Sequence, residues 1–168
     1  MDDVKMLVIF YSETGNTREV AKSLSKSFNC DIEEIKEKEN RNGIFKTIIE
    51  IKDAILGNEA DICKCEKDPS EYDIVIIGTP VWASHVTPAI RTYISKNKDK
   101  IKCTAFFNTH GMEKTKESKV FKDIEKAIVK KPKALMEVSK AEIKNGDYKK
   151  KIEIFRADLV ESDILPTN

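Results

Sequence analysis

The chain has 168 residues, 40% of them hydrophobic, which suits a single domain spanning residues 1–168 with a buried core rather than a disordered chain. Its 30 lysines and arginines nearly balance 29 aspartates and glutamates, and the net charge of +1 argues against a surface devoted to nucleic acid. No apolar stretch suits membrane insertion and no signal peptide precedes the first apolar run, so we expect a cytoplasmic protein.

In the first half of the chain, two strands alternate with two helices. Residues 6–11 are apolar throughout, which is typical of a strand buried on both faces, and a weaker strand follows at residues 31–35. Apolar residues recur at helical spacing after each strand, and Gly57 lies where the second helix would end. These helical positions are Val20, Ala21, Leu24 and Phe28, followed by Ile44, Ile48, Ile51 and Ile55.

The second half continues the alternation with three strands and three helices. The strongest strand is predicted at residues 73–78, and the loop at 79–87 leads to Pro88, which suits the first residue of a helix. Two further strands are predicted at 101–107 and 134–138. The apolar faces of the three helices are formed by Ile90 and Tyr93, then by Val120, Phe121, Ile124, Ala127 and Ile128, and finally by Tyr148, Ile152, Phe155 and Leu159.

This alternation predicts an α/β fold of three layers, with a doubly wound, five-stranded parallel sheet between two layers of helices. Of the common strand orders for such sheets, 2-1-3-4-5 fits five strands. In that order strands 1, 3 and 4 are neighbours. The loops at 12–17, 79–87 and 108–112, which follow these strands, are therefore expected side by side at one edge of the sheet, where they would form a site.

The four cysteines do not indicate a metal site or a disulfide framework. Cys63 and Cys65 are separated by one residue, and neither they nor Cys30 and Cys103 have the spacing of zinc ligands. We therefore expect reduced thiols and no bound metal.

The first loop has the composition of a phosphate site. Ser12, Thr14 and Thr17 supply three hydroxyls, Gly15 allows close backbone approach, and a helix begins at once. The loop lacks the GK[ST] of nucleotide triphosphatases and the GxGxxG of dinucleotide-binding folds, which leaves a terminal phosphate monoester as the favoured ligand. The alternative is an ordinary helix start capped by a hydroxyl.

The sequence Ser-Glu-Thr-Gly-Asn-Thr resembles the [ST]-x-[ST]-G-x-T phosphate loop of the flavodoxins, which wraps the ribityl phosphate of FMN. The resemblance implies a flavodoxin-like fold and bound FMN. It further implies that the phosphate is surrounded by Ser12, Thr14, Gly15, Asn16 and Thr17, with Glu13 contributing mainly its backbone N–H.

The second loop contains the only tryptophan of the chain, Trp82, whose indole could stack on a flat heteroaromatic ring. The stretch G-T-P-V-W, followed by T-P-A-I-R-T-Y-I, is similar to the corresponding region of short-chain flavodoxins. The alternative is that Trp82 packs against its own loop, and the nearby His85 is interpreted as incidental. The resemblance implies that the isoalloxazine ring contacts Thr79, Pro80, Val81, Trp82 and Ala83.

In the flavodoxins the third loop contacts the pyrimidine side of the ring through backbone donors. By resemblance, the corresponding residues are Asn108, Thr109, His110 and Gly111. Many flavodoxins place a stacking tyrosine here, and this chain has none at 108–112. Either Trp82 is the only aromatic plate or His110 serves as the second, and His110 could equally be a surface residue.

Two functions follow from the resemblance. The first is an electron carrier that uses FMN to serve redox partner proteins. The second is an FMN-dependent oxidoreductase that takes hydride from NAD(P)H and reduces a quinone. A vestigial module is a third possibility, which the intact phosphate loop opposes. The residues show no hydrolase triad, and Gly78 stands near the end of the third strand, where a response regulator needs an aspartate, so we predict no catalytic residues.

Overall fold

The computed structural model describes residues 4–38, 58–111, 119–128 and 130–166, together with Lys52, Asp53 and Leu56. Its strands are β1 (Met6–Phe10), β2 (Asp31–Glu34), β3 (Ile74–Trp82), β4 (His85–Val86), β5 (Thr104–His110) and β6 (Leu135–Ser139). Five of them form a parallel sheet in the order β2-β1-β3-β5-β6. The predicted three-layer α/β architecture and parallel strand order are confirmed.

The sheet has six strands rather than the predicted five. β3 does not end at Gly78 but continues to Trp82, and β4 then returns antiparallel to its last residues. Thr79 and Pro80 pair with residues of β5, while Val81 and Trp82 pair with β4. The expected loop at 79–87 is therefore largely a hairpin, because its β-branched and aromatic residues favour extended backbone despite the neighbouring glycine and proline.

Five α-helices cover the described part of the sheet: α1 (Asn16–Phe28), α2 (Pro88–Asn97), α3 (Lys119–Ala127), α4 (Lys140–Asn145) and α5 (Tyr148–Glu161). A short 3₁₀ turn spans Pro69–Glu71. Ile44, Ile48, Ile51 and Ile55, on which a further helix was predicted, and Gly57 at its predicted end all lie outside the described residues, while Lys52, Asp53 and Leu56 between them are helical. No helix in the described ranges is long and apolar enough to cross a membrane.

Helix α4 was not expected from periodicity, yet a local signal marks it. Ser139 accepts a hydrogen bond from the backbone N–H of Glu142, and the Glu142 carboxylate accepts one from the backbone N–H of Ser139. This capping box is encoded by the spacing S-x-x-E, so attention to helix starts would have found the helix.

The two faces of the sheet carry separate cores. Helices α1, α4 and α5 pack on one face, against Val8 and Phe107, and α2 and α3 pack on the other, against Ile9 and Phe106. This division follows from the period of two in a strand, which sends neighbouring side chains to opposite faces. All four cysteines are free thiols.

One glycine in the core is required by a close approach. A Cβ at Gly78 would lie 2.1 Å from Cζ of the buried Phe107 ring on the neighbouring strand. Gly78 therefore lets the Phe107 ring lie flat across β3 at the point where the strand leaves the core and enters the hairpin.

Candidate functional site

Three segments meet at the carboxyl edge of the sheet, as the strand order requires. The hydroxyl oxygens of Thr17 and Thr109 lie 2.7 Å apart, which joins the first segment to the third. The rings of Tyr11 and Trp82 meet edge to face, with centroids 5.9 Å apart, which joins the first segment to the second. Pairing of Thr79 with Asn108 joins the second to the third. Of the segments predicted at 12–17, 79–87 and 108–112, the described residues thus form one continuous edge, and only residue 112 lies outside the described chain.

The first segment turns through glycine and opens directly into α1. Gly15 is the N-cap residue, with a φ of +93°, and has no side chain to cap the helix. The backbone N–H of Arg18 instead donates to the hydroxyl of the buried Ser12, which precedes the turn, at 3.2 Å. The Asn16 amide donates to the Thr14 hydroxyl at 3.3 Å. Since Gly15 has no side chain, the N-cap residue occupies none of the N-terminal N–H groups of α1, which suits an anion site.

The guanidinium of Arg18 lies beside this segment, with Nη1 3.7 Å from where a Cβ of Gly15 would lie, but it is paired with a carboxylate. Arg18 donates to the Glu34 carboxylate through Nε at 2.9 Å and Nη2 at 2.6 Å, which ties α1 to the edge strand β2. Burial of Glu34 opposes its ionisation, but the hydrogen bond from Arg18 and the charges of Lys36 and Arg18 outweigh burial and hold the Glu34 pKa below its usual range. Glu34 balances the charge of Arg18, so we expect an anion at the loop to be held chiefly by backbone N–H groups and hydroxyls.

The second segment is a tight hairpin with an unfavourable turn. Ala83 and Ser84 both have positive φ, 48° and 67°, the mark of a type I′ turn. Such turns favour asparagine and glycine, because a Cβ in the left-handed region costs about 1–2 kcal/mol. At the base, the backbone N–H of Thr87 donates to the Thr79 hydroxyl at 3.4 Å. The indole of Trp82 is therefore carried on a strained turn.

The third segment ends β5 and contains two unpaired polar atoms. Contrary to expectation, Asn108, Thr109 and His110 belong to the strand itself, and only Gly111 lies beyond it in the described chain. The Asn108 amide donates to the Glu137 carboxylate at 3.2 Å. Asn108 Oδ1 and His110 Nδ1 are buried without a hydrogen-bond partner among the described residues. Asn108 Oδ1 can accept a hydrogen bond from a further group at this edge, and His110 Nδ1 can donate or accept one.

Comparison with known proteins identifies the family of the chain. The model of the Flavodoxin family matches residues 5–152. The chain belongs to the flavodoxin family. No curated protein sequence matches it.

Solved flavoproteins share the fold at low sequence identity. A Lactobacillus acidophilus flavoprotein in complex with FMN is 22% identical, with a TM-score of 0.68 over 84% of this chain and 97% of its own. A candidate flavoprotein from Bacteroides eggerthii is 22% identical, with a TM-score of 0.70 over 98% of this chain and 99% of its own. Oxidised flavodoxin 2 of Bacillus cereus is 15% identical, with a TM-score of 0.56 over 94% and 99%.

Two features of this flavodoxin-family site were missed by sequence reasoning. The Tyr11 ring contacts the Trp82 ring, and the Tyr11 hydroxyl donates a hydrogen bond to the Glu13 carboxylate at 2.9 Å. Its position directly after the first apolar strand was a sequence signal that could have placed Tyr11 at this edge. His85, interpreted as incidental, lies with Nδ1 2.8 Å from the Asp123 carboxylate on α3. Nothing local in the sequence marks Asp123, which lies 38 residues away along the chain.

A cavity of about 540 Å³ lies elsewhere, between residues 62–69 and the C-terminal end of α2, and contains none of the predicted site residues. Cys65 on its wall is not a reactive thiol. Burial, together with the charge of Glu33 and the neighbouring Cys63, raises the pKa of Cys65 to about 11, so it stays protonated at neutral pH. The cavity therefore does not change the assignment of the candidate site to the carboxyl edge of the sheet.

Proposed function

We propose that this flavodoxin-family chain binds FMN at the carboxyl edge of its sheet and carries electrons between redox partner proteins in the cytoplasm. One observation carries the proposal. The glycine-capped start of α1, the Trp82 hairpin and the end of β5 are joined by direct contacts into one edge. An anion site therefore adjoins an aromatic plate and unpaired polar atoms, a combination that suits a phosphate linked to a flat polar ring.

The roles of the three segments follow from their chemistry. The first would hold the phosphate through hydroxyls and backbone N–H groups, and the second would stack on and border the ring. Asn108 Oδ1 and His110 Nδ1, which have no hydrogen-bond partner within the described part of the chain, would supply polar contacts at the third. The proposed FMN-binding residues are Ser12, Glu13, Thr14, Gly15, Asn16, Thr17, Thr79, Pro80, Val81, Trp82, Ala83, Asn108, Thr109, His110 and Gly111.

Bound FMN would supply the redox chemistry, while the protein positions it and controls access. The carrier is favoured over an NAD(P)H:quinone oxidoreductase because the sequence has no second nucleotide-binding motif beside the phosphate loop. A carrier needs only an exposed edge of the ring, and Ala83 and Gly111, at the rims of two segments, are exposed.

Binding can be tested with the tryptophan already present. Because Trp82 is the only tryptophan, quenching of its fluorescence on titration of the apoprotein reports binding at the hairpin directly. We expect FMN to bind roughly 100-fold more tightly than riboflavin, since hydrogen bonds to a charged phosphate are each worth about 1.5–3 kcal/mol. Equal affinity for the two would contradict the phosphate site, and no quenching by either would contradict flavin binding here.

The choice between carrier and enzyme needs a second measurement. For the carrier we expect stepwise reduction by dithionite in two separated one-electron stages. We also expect no NAD(P)H oxidation above that of free FMN when a quinone is present. Rapid NAD(P)H-dependent quinone reduction by the loaded protein would overturn the carrier and establish the oxidoreductase.

A further inference from the structure

His85 is the direct cross-strand neighbour of the residue proposed to stack on the flavin. Trp82 pairs with His85 across the two-residue turn, and Val81 pairs with Val86 behind them. Side chains of directly opposed residues in an antiparallel pair lie on the same side of the ladder, a few ångströms apart. The backbone position of His85 is therefore tied to that of Trp82.

His85 is itself anchored outside the hairpin. Its Nδ1 lies 2.8 Å from Oδ2 of Asp123 on α3, with side chains 23% and 30% exposed. An ionised carboxylate only accepts hydrogen bonds, so Nδ1 carries the proton and donates it. This holds whether the imidazole is neutral or protonated. The bond is partly shielded from water and joins elements distant in sequence.

The hairpin needs such an anchor. Only two residue pairs form it, and both of its turn residues carry a Cβ at positive φ. Arg91 reaches the Val86 carbonyl at 3.5 Å and Thr79 bonds Thr87, but both of these contacts hold the base. At the tip, the Tyr11 ring contacts the Trp82 ring, and Asp123 accepts a hydrogen bond from His85.

We propose that His85 and Asp123 form a positioning pair that holds the tip of the hairpin against α3 and so fixes the orientation of Trp82 for stacking on the flavin. This proposal rests on the proposed function. Neither residue needs to touch the flavin, because the pair acts through the backbone shared with Trp82. It also couples the second ring segment to α3, the helix that follows the third segment along the chain.

Three variants separate positioning from simple stability. His85→Phe keeps a ring of similar size but removes the donor, and Asp123→Ala removes the acceptor. His85→Asn places an amide N–H near the position of Nδ1 and keeps the bond. The double variant His85→Phe/Asp123→Ala shows whether the two residues act together.

Two readouts apply to each variant: acrylamide quenching and anisotropy of Trp82 fluorescence in the apoprotein, and the dissociation constant for FMN. We expect each removal variant to make Trp82 more mobile and accessible and to raise the dissociation constant about tenfold. The double variant should bind FMN no more weakly than the worse of the two single variants. His85→Asn should restore both readouts to near wild-type values.

Asp61→Ala is the matched control, because it removes an ion pair, Lys38–Asp61 at 3.0 Å, that involves none of the three site segments. Wild-type Trp82 mobility and FMN affinity in His85→Phe would overturn the proposal, as would additive losses in the double variant. If one removal variant fails to fold, the other still decides the question. Failure of the wild type to bind FMN would contradict the proposed function instead, and the apoprotein fluorescence would still test whether the pair positions Trp82.

Discussion

Residues 12–17 turn through a glycine at φ +93° and run at once into a helix of 13 residues, whereas the hairpin turns through Ala83 and Ser84, both at positive φ without being glycine. The first segment has the residue its backbone conformation prefers, and the second does not. The helix start is thus favoured by its own sequence, while the hairpin depends on contacts with β5, Tyr11 and α3. The backbone of the first segment is preorganised locally, and the indole of Trp82 is positioned by the tertiary structure.

The largest expected effect is a loss of stability at Gly78, where β3 leaves the core and continues toward the hairpin. Gly78→Ala would place a Cβ 2.1 Å from the Phe107 ring, and the buried ring has little room to move. We expect urea unfolding to show a loss of about 3 kcal/mol. Adding Phe107→Leu, which removes the clashing atoms, should recover part of that loss. Unchanged stability of Gly78→Ala would mean that the Phe107 ring can move away from an added Cβ at little cost.

Gly15→Ala tests the local character of the first segment. Its Cβ would meet nothing closer than Arg18 Nη1 at 3.7 Å, so the cost is backbone strain alone, about 1–2 kcal/mol. FMN affinity should fall about tenfold as the loop shifts. Gly146→Ala is the matched control, because Gly146 also has a positive φ, +84°, with open space around it. Both should lose similar stability, and only Gly15→Ala should lose affinity.

Thr17→Val tests the contact that joins the first and third segments. It leaves the buried Thr109 hydroxyl without its partner, which we expect to lower the free energy of unfolding by about 1–2 kcal/mol. The double variant Thr17→Val/Thr109→Val removes both hydroxyls and should be less destabilised than the sum of the two single variants. Strict additivity in chemical unfolding would show that the 2.7 Å contact contributes nothing.

Relieving the backbone strain of the hairpin turn should change stability by a smaller amount, and should raise it. Ala83→Asn/Ser84→Gly supplies the preferred residues of a type I′ turn, so we expect stability to rise by about 1 kcal/mol, measured as a higher melting temperature. Ser84→Ala keeps a Cβ at positive φ and should show no such gain. A lower melting temperature for the Asn-Gly variant would show that the turn is not the strained element.

The smallest expected effect concerns the ion pair between Arg18 on α1 and Glu34 on β2. Because the folded-state pKa of Glu34 lies below its ordinary value of 4.5, its stabilising contribution is present above that value and is lost as the pH falls through the folded-state pKa. Wild-type stability, followed by unfolding between pH 7 and 3, should therefore fall more steeply than that of Glu34→Gln. The exposed Glu153→Gln is the control, and an identical profile for all three proteins would contradict the prediction.

Much of this molecule could be predicted because its signals are local. Continuous apolar runs marked the buried strands, helical spacing marked α1, α3 and α5, and Ser139 with Glu142 marked α4 once helix starts are considered. The turn into α1 was also predicted, since Gly15 comes directly before the helical spacing begins, while the role of this segment in binding FMN stays a prediction. The parallel strand order then followed from the alternation of strands and helices.

The sequence by itself determined the alternation of elements, the division of the core between two faces of the sheet, and the glycine-capped start of α1. Only the tertiary structure decided that β3 runs on past Gly78, that Ala83 and Ser84 form a turn, and that His85 meets Asp123. The physical reason is separation along the chain. Thr17 and Thr109 are 92 residues apart, and His85 and Asp123 are 38 apart, so no local pattern encodes these contacts, which exist only once the sheet has brought the segments together.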